Sequence, residues 1–249
     1  MRTAAAHYAT HLGPIYAWML GDIDSAMARS AAELDDLRLP PPADRAAVQL
    51  GAAVDLGAGL GLHAIPLARR GFRVVAIDSC EPLLNELRSR GAALPISCVY
   101  ADLLEFPAYI NERPQVILCM GDTLTHLESF SAVQSLLSSI AASLGPGGMF
   151  VATFRDYATS ALEGDQRFIP VRADADRILT CFLEYQEHAV TVHDVLNERD
   201  NGQWRQTVSS YSKLRLAPEW VETKLIEHGF SVRRDATSTG MTRLAALKN

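Results

Sequence analysis

A chain of 249 residues, 48% apolar and 21% charged, is long enough to bury a full α/β core without relying on disulfides or metals. No apolar run approaches the roughly 20 residues that span a bilayer. His7, Tyr8 and His11 interrupt residues 1–11, so that stretch does not read as a secretory signal. A cytoplasmic protein with no membrane partner is expected, and a net charge of −6 without a Lys/Arg block argues against a nucleic-acid partner. The four cysteines are too widely spaced, and too far from any histidine, to suggest a metal site.

In chain order, residues 3–39 show helical spacing, with Gly13-Pro14 punctuating the early part, and Pro40-Pro41-Pro42 ends that run. The division expected is an N-terminal helical lid or cap over 1–42 and a main domain over 43–249. From 52 to 155, apolar runs at 52–56, 73–77, 96–100, 116–120 and 149–154 alternate with helical patterns at 62–70, 82–90 and 130–144. That alternation predicts an α/β fold with a doubly wound, mostly parallel, Rossmann-like sheet, seven-stranded once the C-terminal pair is added.

After residue 176 the apolar period switches towards two, over 177–187, 189–198 and 204–216, with Asp200-Asn201-Gly202 as a hairpin turn. This predicts an antiparallel β-meander inserted at about 177–216, which either roofs the active site or makes a homodimer contact. Residues 218–228 return to helix, with Pro218 in its first turn and Gly229 at its stop, and strands follow at 231–234 and 241–247.

The chemistry concentrates where strands end. Gly57, Gly59 and Gly61 fall where the first strand must turn into a helix; glycine there permits positive φ and lets a ligand lie against backbone N–H groups at the helix start. A tight turn without a ligand would use the same residues. Asp78 ends the second strand and Asp102 the third, so in an open sheet both face the crevice beside that turn, where a carboxylate accepts from ribose hydroxyls or an adenine amino group. Either would also serve as a helix or turn cap.

Residues 55–154 resemble the class I S-adenosylmethionine-dependent methyltransferases, small-molecule type, and the closing helix and two strands are similar to that family's usual ending. The resemblance implies S-adenosyl-L-methionine as cofactor. Asp55, Gly57, Gly59 and Gly61 would surround its methionine part, Asp78 its ribose, and Asp102 its adenine with Leu103 over the ring, while Met120 would lie beside the transferred methyl. A nicotinamide dinucleotide oxidoreductase is the rival on the same fold, but its fingerprint asks for a small residue where this chain has Leu62. A non-catalytic S-adenosylmethionine-binding module is the other alternative.

Residues 119–127 carry polar groups and a glycine past the fourth strand, and the Asn/Asp-Pro-Pro-aromatic signature of the family's DNA and protein amide methyltransferases is missing there. A small-molecule methyl acceptor is therefore expected. If that acceptor is a phenol or an ammonium it must lose a proton, and His126 or Asp122 would serve as general base; a neutral nitrogen or a thiolate would need neither. Arg155 and Tyr157 after the fifth strand, and Tyr16 in the N-terminal segment, are candidate substrate-binding residues. Tyr8, Tyr16 and Trp18 together would close over the cofactor as an aromatic lid. His188 and His193 read as exposed strand residues.

Overall fold

The computed structural model describes residues 3–40, 51–159 and 161–249. Pro41, Pro42 and the boundary expected between 42 and 43 lie outside the described residues. Strands β1 (Gly51–Leu56), β2 (Phe72–Asp78), β3 (Ile96–Tyr100), β4 (Val116–Cys119) and β5 (Met149–Phe154) follow the predicted runs within two residues at each end. Strands β6 (Phe168–Ala173), β7 (Arg177–Tyr185), β8 (Ala189–Asp200) and β9 (Gln203–Leu214) come next, then β10 (Phe230–Ala236) and β11 (Thr242–Lys248).

Seven strands form one sheet in the order β10-β11-β5-β4-β1-β2-β3, all parallel except β11, which pairs antiparallel with β5 and β10. The order reverses at β1. Crossover connections on the two sides of β1 therefore diverge and leave a crevice above its carboxyl end, the place where open α/β sheets bind ligands.

Helices cover both faces. On one side α6 (Phe130–Ser143) and α7 (Pro218–Glu227) bury Leu136, Ile140, Val221 and Leu225 against Val54, Phe150 and Phe154. On the other, α3 (Ile23–Asp36), α4 (Ala64–Arg69) and α5 (Glu81–Arg90) bury Leu34, Leu67, Leu84 and Leu87 against Val74 and Leu118. Each such side chain contributes roughly 1.5–3 kcal/mol of burial free energy. Ser129 caps α6 by accepting the N–H of Ala132 at 3.1 Å.

The N-terminal run is not one helix. It divides into α1 (Ala4–His7), a π turn (Tyr8–Leu12), a 3-10 turn (Gly13–Ile15), α2 (Tyr16–Leu20) and α3. Gly21, at φ +81°, turns the chain, and the Asp22 side chain then caps α3 from Asp24 N–H. The break separates two tasks. Helix α3 packs on the sheet, whereas Leu12 and Ile15 pack on Leu179 and Leu196 of the meander.

The inserted sheet has four strands in the order β6-β7-β8-β9, and it begins at Phe168 rather than near 177. Strand β6 was not legible because its Phe-Ile-Pro-Val-Arg-Ala carries a proline and is mostly exposed, which removes both the alternation and the apolar face. The hairpin between β8 and β9 has the predicted turn, with Asn201 at φ +50° and Gly202 at φ +80°.

Candidate active site

The glycine turn is bonded to the neighbouring strand before any ligand is considered. The N–H groups of Gly57 and Ala58 both donate to the Ile77 carbonyl, at 2.9 and 3.0 Å. Gly57 has φ +75°, and a Cβ on it would lie 2.4 Å from the Thr123 methyl, so no other residue fits between the β1 turn and the turn after β4. Asp78 Oδ2 accepts the N–H of Gly59 at 2.7 Å and its Oδ1 accepts that of Cys80, also at 2.7 Å. Burial pushes the Asp78 carboxyl up, against the pull of these backbone donors.

A cavity of about 950 Å³ opens over this turn. It is lined by Gly57 to Leu60, Asp78, Leu83 and the 100–104 segment, by Met120, Gly121 and Thr123 after β4, by His126, Glu128, Phe130, His188, Ser212 and Leu214, and by Thr3, Ala4, Ala5, Tyr8 and Tyr16 of the N-terminal segment. The sheet edge brings together most of the expected cofactor residues: Gly57, Gly59, Asp78, Asp102, Leu103 and Met120 share the cavity with Tyr16 and His126. Asp102 caps the following 3-10 turn through Leu104 N–H, and its residue remains exposed to the cavity.

Other expected site residues lie elsewhere. Gly61 is a packing position: a Cβ there would meet Leu87 Cδ1 at 2.3 Å. Asp55 is buried beneath the turn and does not line the cavity; its Oδ2 has no hydrogen-bond partner, and burial pushes its carboxyl up to about 6. Trp18 does not line the cavity as Tyr8 and Tyr16 do; its indole donates to Asp174 and packs beside Arg172 and Arg177.

Asp122, Arg155 and Tyr157 do not line the cavity either. The Asp122 carboxylate is buried, accepts the backbone N–H of Arg155 at 2.6 Å, and forms ion pairs with the Arg155 guanidinium and with Lys213 Nζ, the latter at 2.9 Å. Burial opposes its ionisation, but Lys213, Arg155 and that N–H outweigh it and hold the carboxyl well below the usual carboxylate range. A carboxylate so engaged is a poor proton acceptor. Arg155 pairs with Asp122 through one guanidinium nitrogen, and its side chain is otherwise about half exposed, outside the cavity lining. Tyr157 is buried in the meander core, with the Lys213 ammonium 5.7 Å from its ring centre.

His126 sits at the cavity wall among aromatic rings, 5.5 Å from Tyr8 and 5.6 Å from Tyr211 between ring centres. Its Nε2 is buried without a hydrogen-bond partner. Burial, reinforced by Lys213, pulls its pKa down to about 3, so the imidazole is neutral near pH 7.

The meander roofs the cavity through His188, Ala189, Ser212 and Leu214. It also anchors the N-terminal segment: His7, fully buried, bonds Asp194 Oδ2 and Ser209 Oγ at 2.8 Å each and stacks on Tyr211 at 4.2 Å. Asp194 also accepts from the Cys181 thiol. Sequence reasoning missed this network and the cavity roles of Glu128, Phe130 and His188. His188 falls in the β7–β8 turn, edge-on to Phe130 at 6.2 Å; a polar break between two alternating strands was the available signal, but nothing local showed where that turn would land.

Residues 53–148 match the family model described as a methyltransferase domain. Residues 53–148 are thus a methyltransferase domain, and the strand order, glycine turn and crevice around it are similar to those of S-adenosylmethionine-dependent methyltransferases. It is 26% identical over 187 residues to the Bacillus subtilis protein YqeM, which is named for a methyltransferase, covering 74% of this chain and 75% of that one. It is 28% identical over 113 residues to a glycine/sarcosine N-methyltransferase of Aphanothece halophytica, covering 45% of this chain and 43% of the relative. An amino pentose methyltransferase from Micromonospora echinaspora, solved with S-adenosylmethionine bound, shares the fold at a TM-score of 0.74 and 16% identity, over 95% of this chain and 96% of that one.

Proposed function

We propose that the chain transfers a methyl group from S-adenosylmethionine to the nitrogen of a small-molecule amine that carries no anionic group. The observation that carries this reading is the charge of the cavity wall. Asp78, Asp102 and Glu128 line it, and among the described residues neither Lys nor Arg does. The nearby cations, Lys213 and Arg155, are paired with Asp122 behind the wall. Such a lining suits a sulfonium and an ammonium, whereas a carboxylate- or phosphate-bearing acceptor calls for a basic side chain. The acceptor would therefore differ from the amino acid named for the glycine/sarcosine relative, while sharing its attacking atom.

The residues that would hold the cofactor are Gly57 to Leu60 at its methionine part, Asp78 at the ribose, Asp102 and Leu103 at the adenine, and Met120 beside the sulfur. When bound, the cofactor supplies an electrophilic methyl on a sulfonium, open to in-line attack. The chain's contribution is to orient the acceptor and exclude water. The amine reacts as the free base, its ammonium proton lost to solvent before the site closes; the neutral His126 ring, Tyr8 and Tyr16 wall the space in which its lone pair meets the methyl. The acidic lining also argues against a nucleic-acid partner. Four free cysteines support a cytoplasmic location, and the exposed Trp204 and Val208 on the outer meander support a homodimer.

The test is turnover with S-adenosylmethionine across matched acceptors: an amino sugar and an alicyclic amine, glycine and sarcosine, and a catechol. Formation of S-adenosylhomocysteine with the uncharged-backbone amines, and not with the others, is the expected result. Turnover confined to the catechol or to amino acids overturns the amine assignment. Binding of a nicotinamide dinucleotide in place of S-adenosylhomocysteine would overturn the cofactor reading too.

A further inference from the structure

We infer that His7 is a positioning residue: its buried bonds to the meander fix the ring of the next residue, Tyr8, on the cavity wall beside His126. The inference rests on the reading of that cavity as the methyl-transfer site. Residues 3–16 carry two faces. Thr3, Ala4, Ala5, Tyr8 and Tyr16 line the cavity, whereas His7, Leu12 and Ile15 are buried, the last two against Leu179 and Leu196 of the meander. His7 and Tyr8 are adjacent, so the residue held by the meander and the residue that faces the cavity share one peptide bond.

The grip on His7 is built into the inserted sheet. Cys181, Asp194 and Ser209 stand opposite one another in one row across β7, β8 and β9. Asp194 Oδ2 and Ser209 Oγ each lie 2.8 Å from a His7 ring nitrogen, the Cys181 thiol donates to the other Asp194 oxygen, and Tyr211 stacks on the imidazole at 4.2 Å. The strand ladders set the spacing of these partners, and a buried network so fully satisfied rigidifies what it holds. Ser, His and Asp are also the residue types of a nucleophilic triad, but His7 is 0%, Asp194 1% and Ser209 6% exposed, which closes the trio to any substrate.

The chain is held on the other side of Tyr8 as well. Tyr8 opens the π turn, and the N–H of Gly13 donates to its carbonyl. A Cβ on Gly13 would lie 2.6 Å from that oxygen, so the close approach requires glycine. The Tyr8 backbone is thus fixed from both directions, and its ring stands 5.5 Å from His126, 6.0 Å from Tyr16 and 6.2 Å from Tyr211 between centres. A wall already in place spares the acceptor the cost of ordering it and helps to aim the amine for in-line attack.

The decisive experiment uses two variants that break the grip to different extents. Ser209→Ala removes one bond; His7→Phe combined with Asp194→Asn removes both, keeps a ring on Tyr211 and leaves no buried charge without a partner. In protein carrying ring-labelled tyrosine, the Tyr8 resonance is assigned by its loss in Tyr8→Phe. In the wild type it should be single and displaced by the neighbouring rings. In the double variant it should collapse towards the position of an unstructured tyrosine, and in Ser209→Ala, which also carries the comparison should the double variant not fold, it should move part of the way; Tyr109, which follows β3, should keep its position in both. With the amino sugar as acceptor, kcat/KM for the amine should fall by about tenfold in the double variant, while calorimetry with S-adenosylhomocysteine should change little. In a Tyr8→Ala background the same substitutions should cost nothing further, because His7 acts through Tyr8. A Tyr8 resonance that stays in place, or that moves only together with that of Tyr109, would overturn the proposal, as would a full loss of turnover on top of Tyr8→Ala. The resonance is read in the free protein as well as the loaded one and needs no acceptor, so failure of the amine or cofactor reading still leaves the placement of Tyr8 decided.

Discussion

Asp78 Oδ2 accepts the N–H of Gly59 at 2.7 Å, so the carboxylate that ends β2 is bonded directly to the turn that follows β1. One side chain thus shapes the glycine turn and presents charge to the cavity. Asp78→Ala removes both, and we expect the affinity for S-adenosylhomocysteine to fall by roughly tenfold to a hundredfold, the worth of one to two charge-assisted hydrogen bonds. Isothermal calorimetry reads the change. Asp78→Asn, which keeps an acceptor for Gly59, should lose less; unaltered affinity in the alanine variant would show that the cofactor does not sit at this edge.

Gly61 meets α5 rather than the cavity. Its φ of +93° and the 2.3 Å that would separate Leu87 from an added Cβ mean that Gly61→Ala must displace the helix or adopt a strained backbone. A loss of about 1–3 kcal/mol in urea unfolding is expected. The double variant with Leu87→Ala should show a smaller combined loss than the sum of the two single ones, because the methyl then has room. Full stability in Gly61→Ala would refute the packing role.

Asp55 gives stability a pH dependence of known sign. Its folded-state pKa, about 6, lies above the ordinary 3.8, so folding favours the protonated acid: the contribution is complete below about pH 4 and is lost as pH rises through 6. Asp55→Asn removes the ionisation. Its stability relative to the wild type should improve between about pH 4 and 7, by up to roughly 3 kcal/mol, as followed by denaturant unfolding at several pH values. A pH-independent difference would mean that Asp55 is not titrating in this range.

Much of the architecture could be read from the chain because it is encoded at short range. The apolar runs from Gly51 to Phe154 carry strand and helix periods, Asn201-Gly202 takes the positive φ values that its hairpin demands, and Ser129 caps the helix it precedes. Strand β6 escaped because an exposed edge strand with Pro170 has no apolar face to alternate. The expected roles of Asp122 and Arg155 came from their place at the carboxyl edge of the sheet, which is right; what they touch there was not legible.

Where the chain turns, and which strand ends bear carboxylates, is written locally, because glycine φ preferences and apolar periodicity act between near neighbours. That information was enough to assemble Gly57, Gly59, Asp78 and Asp102 along one crevice. Which side chains remain available there depends on the folded arrangement. Lys213, 91 residues from Asp122, makes that carboxylate a poor proton acceptor, and His7 is clamped by Asp194 across 187 residues. The charge and exposure of a buried group depend on neighbours supplied by distant segments, and these become neighbours only when the meander folds down over the sheet.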